Sequence, residues 1–210
     1  MRRETALKIV ELLRKDLGRS FSILEISKKL KIGYRPAYNH ISSLEKEGAI
    51  IIKIAGRSKQ CSLNLEDAKS RYFLQEVDLM WKESLYKANP KLKAVLEGLI
   101  SKITGQFIAD VHSIVLFGSY AKGTAKKTSD VDMLFIVSDL KNKLLREVIE
   151  RECASYQHSY NIKVSPLITD IGEFKKMLKA KEINVGKEAR EYGIPLYGSE
   201  QFWRLVTWQE

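Results

Sequence analysis

The stretch at 113–137, SIVLFGSYAKGTAKKTSDVDMLFIV, limits the possible folds more than any other part of the chain. Two apolar, β-branched runs, at 111–117 and 130–137, read as strands. The first runs straight into Gly118-Ser119. A small-residue helical turn follows at 120–125, and then a polar loop at 126–129. The second run opens on Asp130-Val131-Asp132. Side chains alternate along a strand, so Asp130 and Asp132 share one face while Val131 and Met133 point into the core.

Two carboxylates side by side at a strand start repel one another unless a cation lies between them. Mg²⁺ is satisfied by one or two carboxylates together with phosphate oxygens and water. Gly118 allows close approach of the backbone to a phosphate. Ser119 offers a hydroxyl and an N–H at the start of a helical turn, where anions bind well. Together these residues suit a nucleoside triphosphate, its phosphate tail on Gly118-Ser119 and a metal bridging it to Asp130 and Asp132.

Strand and helix alternate in the rest of this half. The spacing predicts a helix over 141–156, a third strand over 161–169 and a helix over 170–187 opened by Asp170 with Glu173 as a capping box. A short strand at 194–197 and an aromatic-rich helix at 199–208 follow. Phe202, Trp203, Val206 and Trp208 in that helix pack on the sheet or form a dimer contact.

The first 66 residues have a different character. They carry 14 Lys/Arg against 7 Asp/Glu, most of the net charge of +10. Such a segment attracts polyanions through counterion release. Ala6, Ile9, Val10, Leu13 and Leu17 form one helical face that Gly18 ends. Ser22 with Glu25 is a capping box for a second helix burying Ile23, Ile26 and Leu30. A third helix is predicted over 34–47, with Pro36 in its first turn and Ala37, Ile41 and Leu44 inward. The runs at 49–54 and 60–65 read as a hairpin with a basic turn at 55–59. Between the halves, 67–89 reads as a helix with Phe73, Val77, Met80, Trp81 and Leu85 on one face. A further helix over 91–106 carries Leu92, Val95, Leu96, Leu99 and Ile103.

The order helix, helix, turn, helix, basic hairpin resembles the winged helix-turn-helix family of DNA-binding proteins. With Ala37, Ile41 and Leu44 buried, Arg35, Tyr38, Asn39, Ser42 and Lys46 lie on the opposite face. These side-chain types reach phosphates and base edges in a major groove. Arg57 and Lys59 at the hairpin tip would follow the DNA backbone or minor groove. The alternative is the same fold used for protein contact. The resemblance implies duplex DNA as partner and, by fold analogy, a homodimer on paired half-sites.

The 113–137 stretch resembles the signature of the DNA polymerase β-like nucleotidyltransferase superfamily, especially its minimal, stand-alone members. The shared pattern is apolar strand, Gly-Ser, then Asp-x-Asp between apolar residues. The resemblance implies an α/β (α+β) chain whose second domain has a mixed β-sheet flanked by helices. The domains expected are 1–66 (winged helix), 67–106 (helical connector) and 107–210 (nucleotidyltransferase-like). It implies transfer of a nucleoside monophosphate from a triphosphate to a hydroxyl or phosphate, with Mg²⁺ or Mn²⁺ as cofactor and pyrophosphate released. Carried over, Asp130 and Asp132 are catalytic metal ligands. Gly118, Ser119, Lys122 and Ser129 bind the nucleotide, with Lys122 where the family often has Arg.

The family usually has a third carboxylate on the neighbouring strand. Here that strand presents Asn161, Lys163 and Ser165 on the relevant face, none acidic. Asp170 has its capping role, and Glu150 and Glu152 lie on the preceding helix. Two carboxylates suffice for one metal–triphosphate complex, and Lys163 stands where a second metal would lie. Three readings follow: an atypical nucleotidyltransferase, a nucleotide-sensing DNA-binding regulator without turnover, and a toxin–antitoxin-like modifier of a protein partner.

Composition narrows the setting. Apolar residues make up 44% and charged residues 30%, so a mostly disordered chain is excluded. No run approaches the roughly 20 apolar residues of a membrane span. Charges interrupt the N-terminal segment, so no secretory signal is expected. Cys61 and Cys153 are too far apart in sequence for a zinc motif or a disulfide framework and fit a reducing cytoplasm.

Overall fold

The computed structural model describes residues 2–56 and 58–207. These fall into two compact units, one running to Leu79 and also holding Thr207, the other Met80–Val206.

The first unit contains α1 (Arg2–Arg14), β1 (Phe21–Ser22), α2 (Ile23–Lys29), α3 (Tyr34–Lys46), β2 (Ile50–Ala55), β3 (Ser58–Leu63) and the first half of α4 (Ala68–Ala88). Ser22 caps α2 by accepting from the Glu25 N–H at 3.1 Å. Glu25 itself turns away to Arg19 at 2.8 Å. Gly33 opens α3, whose buried stripe is Ala37, Ile41 and Leu44 as the spacing predicts. Antiparallel β2 and β3 form the expected hairpin, and Phe21–Ser22 adds a third strand to β3. Two residues are too short a run for periodicity to reveal. The core between these layers also holds Arg14, whose side chain is fully buried and bonds Asp78 at 2.6 Å.

The second unit contains the rest of α4, then α5 (Pro90–Phe107), β4 (Val111–Phe117), α6 (Gly118–Ala121), β5 (Val131–Val137) and α7 (Lys143–Tyr160). It continues through β6 (Val164–Asp170), α8 (Ile171–Lys179), α9 (Val185–Tyr192), β7 (Ile194–Tyr197) and α10 (Ser199–Thr207). The sheet order is β6-β5-β4-β7. β5 and β6 are parallel and the other pairs antiparallel, which makes the sheet mixed. All five residues predicted inward on α5 are buried, within one core with Val131, Met133 and Phe135 of β5 and Leu145 and Ile149 of α7. Thus α5, expected within the connector, packs as part of this unit. Leu134 and Ile136 are buried on the opposite face, the side of the sheet that bears Asp132. Phe174 of α8 meets Phe202 of α10 at a tilt and Phe202 meets Trp203 edge-on, and all three are fully buried.

Three elements differ from expectation. The helix predicted over 170–187 is two helices. Ala180 leaves α8 in an extended conformation, and Asn184 starts α9 by accepting from the Lys187 N–H at 3.1 Å while donating to Met177 O. The third strand begins at Val164 rather than at 161, because Asn161 ends α7 in a left-handed conformation (φ 51°). On α4 the apolar face shifts: Phe73, Leu74, Val77 and Tyr86 are buried, whereas Met80 is exposed. Trp208, predicted in the last helix, lies outside the described residues. Among those described, no helix is long and apolar enough to cross a membrane.

Candidate functional site

The antiparallel register of β4 and β5 sets Phe117 opposite Asp132. Gly118 comes next and adopts a left-handed conformation, φ +69°. A Cβ built there would lie 2.1 Å from Asp132 Oδ2. The glycine is therefore required twice, for its φ and for the room it leaves the carboxylate. Ser119 follows in α6. Its carbonyl accepts from the Thr124 N–H at 2.9 Å, and no partner for its hydroxyl is found among the described residues. The first N–H groups of a helix have no intrahelical acceptor, so α6 presents donors beside Asp132. Ser129 is engaged within its own loop, where its Oγ accepts from the Lys126 N–H at 2.9 Å.

Asp130 and Asp132 do share a side, with Val131 and Met133 buried between and beyond them. Their environments differ. Asp130 Oδ2 accepts from Lys163 Nζ at 2.5 Å and from Ser165 Oγ at 3.2 Å. The Lys163 bond, reinforced by Ser165 and the Lys163 charge, holds this carboxyl below the usual aspartate range. Asp132 is half-buried, and no side-chain donor to it is found among the described residues. Burial first, then the charges of Asp130 and Glu188, push its carboxyl upward. The site thus pairs a compensated acid with an uncompensated one.

Glu188 is a functional candidate that sequence reasoning missed. It lies on α9, which packs against α6 and β4. Its Oε1 is 2.7 Å from Lys122 Nζ, and the same ammonium lies 5.5 Å from the Tyr192 ring centroid. Lys122 is thereby held toward α9. With 170–187 read as one helix, the phase of Glu188 was lost; the N-capping Asn184 was the available signal for a restart. The other carboxylates considered lie elsewhere. Asp170 caps α8 through the Glu173 N–H at 2.8 Å. Glu152 bonds Lys102 at 2.9 Å, and Glu150 lines a cleft with Leu140, Arg146, Pro166 and Ile168.

Residues 99–192 match the nucleotidyltransferase domain family. Two proteins of Methanocaldococcus jannaschii are similar. One, named "Putative protein adenylyltransferase MJ1305", is 32% identical over 121 residues, 54% of this chain and 76% of that protein. The other, named "Putative protein adenylyltransferase MJ0141", is 33% identical over 103 residues, 45% of this chain and 96% of that protein. The chain belongs to the nucleotidyltransferase family. Two solved structures show weaker likeness. A toxin–antitoxin crystal structure with AMP-PNP matches at 20% identity and a TM-score of 0.36, over 53% of this chain and 80% of its own. The archaeal chromatin protein TrmBL2 matches at 19% and 0.22, over 82% and 68%. Scores this low add nothing to the assignment.

A nucleotidyltransferase needs a divalent cation at its phosphates. Among the described residues no group of three or more His, Cys, Asp or Glu is arranged to hold a metal. Asp130 and Asp132 alone suit one Mg²⁺, which takes its remaining ligands from phosphate and water. Beside them, Lys163 immediately before β6 and Ser165 within it both bond Asp130 Oδ2.

On the first unit, Arg35, Asn39 and Lys46 are exposed on α3, with Tyr38 and Ser42 partly so, all opposite the buried stripe. Exposed Lys59 of β3 reaches the same surface, its Nζ 3.4 Å from Tyr38 Oη and 4.9 Å from the ring centroid. Arg57 lies outside the described residues. Asn39 also borders a cleft of about 510 Å³ with Arg3, His40, Ser43 and Phe73.

Proposed function

We propose that this chain is a Mg²⁺-dependent nucleotidyltransferase that moves AMP from ATP to a hydroxyl on a protein partner. The observation that carries the reading is the juxtaposition of the Asp132 carboxylate with the Gly118 backbone at the start of α6. In the reaction the acceptor hydroxyl oxygen attacks the α-phosphorus and gives up its proton to solvent, the bond from that phosphorus to the bridging oxygen breaks, and pyrophosphate leaves. Gly118 lets the phosphate tail approach the main chain, and the Ser119 hydroxyl and α6 N–H groups bind its oxygens. Lys122, paired with Glu188 at 2.7 Å, supplies a point cation to the phosphates by exchanging that partner for them. Asp130 and Asp132 would hold the metal, which would supply Lewis-acid polarisation of the phosphoryl oxygens. The names of the two methanogen relatives favour adenylyl transfer and a protein acceptor.

The first unit has the element order of a winged helix-turn-helix. Its basic excess and the shared surface of Arg35, Tyr38, Ser42, Lys46 and Lys59 support duplex DNA as a second ligand, with homodimers on paired half-sites. Cys61 and Cys153, both buried and unbridged, suit a reducing cytoplasm.

The test is transfer of label from α-³²P-ATP, with Mg²⁺ or Mn²⁺, to co-expressed protein partners. Transfer and pyrophosphate release are expected, and both should vanish in Asp130→Asn and Asp132→Asn. The second reading, a nucleotide-sensing DNA-binding regulator, is favoured by the Lys163 ion pair on Asp130. Nucleotide binding without turnover on any acceptor, and duplex affinity that changes with nucleotide, would select it.

A further inference from the structure

We infer that Lys163 is a built-in cation taking the place of a second divalent ion, so that the chain binds one metal per nucleotide. This rests on the nucleotide-site reading above and deepens it.

The position of Lys163 is fixed by the backbone. β6 runs parallel to β5 with Val164 opposite Val131, and the Val131 N–H donates to Lys163 O at 2.8 Å. Lys163 therefore stands beside Asp130 whatever its rotamer. Its ammonium and the Ser165 hydroxyl both take Asp130 Oδ2, which leaves Oδ1 as the oxygen outside that contact. On the other acid, Oδ2 of Asp132 lies against Gly118. A second divalent ion between these acids would meet a positive charge already seated on one of them. It would also lack a ligand there, because Lys163 just before β6 and Ser165 on β6 are not acidic, while Asp170 caps α8, Glu152 bonds Lys102 and Glu150 lines a separate cleft. Glu188, whose charge reaches Asp132, is ion-paired with Lys122 at 2.7 Å.

Charge leads to the same conclusion. Three carboxylates with two divalent ions carry the same net charge as two carboxylates with one ammonium and one divalent ion. The exchange of an acid for Lys163 thus removes one metal while keeping the net charge that the triphosphate meets. Lysine suits the position because an ammonium is a compact point charge.

The experiment counts bound Mn²⁺ by electron paramagnetic resonance at saturating non-hydrolysable ATP analogue, with nucleotide occupancy measured in parallel. One Mn²⁺ per chain is expected for the wild type and for Lys163→Arg, and two for Lys163→Asp. In Lys163→Gln the single Mn²⁺ should bind about tenfold more tightly, the effect of one unit charge on a divalent ion at roughly 6 Å in a water-like medium. Two Mn²⁺ in the wild type, or unchanged Mn²⁺ affinity in Lys163→Gln, overturns the inference. If Lys163→Asp does not fold, the wild-type count and Lys163→Gln still decide it. Nucleotide that fails to bind the wild type at all refutes the underlying site instead.

Discussion

Gly118 and Gly123 provide a matched pair for testing what the site requires. Both are left-handed, with φ of +69° and +70°. Alanine in that region costs about 1–2 kcal/mol at either position. They differ in what a methyl group meets. At Gly123 nothing lies within 4 Å; at Gly118 the new Cβ falls 2.1 Å from Asp132 Oδ2. Ordinary contact requires the carboxylate to retreat by about 1 Å or more. The carboxylate is the end of a side chain, so it yields at less cost than the strand. Thermal unfolding should therefore show similar destabilisation of the two variants. Nucleotide affinity should separate them. Displacing one charged ligand forfeits about 1.5–3 kcal/mol, so calorimetric titration with Mn²⁺ and an ATP analogue should show Kd rising roughly ten- to hundredfold in Gly118→Ala. Gly123→Ala should stay near wild type. Equal losses in both variants, or none in Gly118→Ala, would refute the link between glycine, carboxylate and nucleotide.

Other outcomes follow from the same structure. Asp78→Ala removes a carboxylate bonded to the fully buried Arg14 guanidinium, and urea unfolding should register a loss of about 3–5 kcal/mol. Burial pushes the Cys61 thiol to about 11 and the Cys153 thiol to about 12. Neither should react with iodoacetamide at pH 8 until the chain unfolds. Because unfolded thiols ionise near pH 8.5 and the folded ones only well above it, their contribution to stability is intact below that pH. It is lost progressively as pH rises toward the folded values, a fall that alkaline denaturation measures. For duplex DNA, Arg35→Ala and Lys59→Ala should each weaken binding and lower the salt slope by about 1. Unchanged affinity in both, with a flat response to salt, removes DNA from the reading.

The sequence alone determined the local pieces. A buried stripe of Ala37, Ile41 and Leu44 follows from a period of 3.6 residues. The common side of Asp130 and Asp132 follows from a period of two, and the caps at Ser22 and Asp170 follow from short-range hydrogen bonding. Each involves neighbours a few residues apart, whose geometry the chain itself imposes. What depended on distant residues was open until the fold closed. The Phe21–Ser22 strand exists only because β3 lies beside it. Arg14 meets Asp78, 64 residues away in sequence, only in the core. The unequal acids, Asp130 neutralised by Lys163 and Asp132 crowded by Gly118 and facing the charge of Glu188, come from strand register and from a helix break at 180–184. Periodicity carries phase along one element. It carries none across a loop, so the electrostatics of the site belong to the tertiary structure.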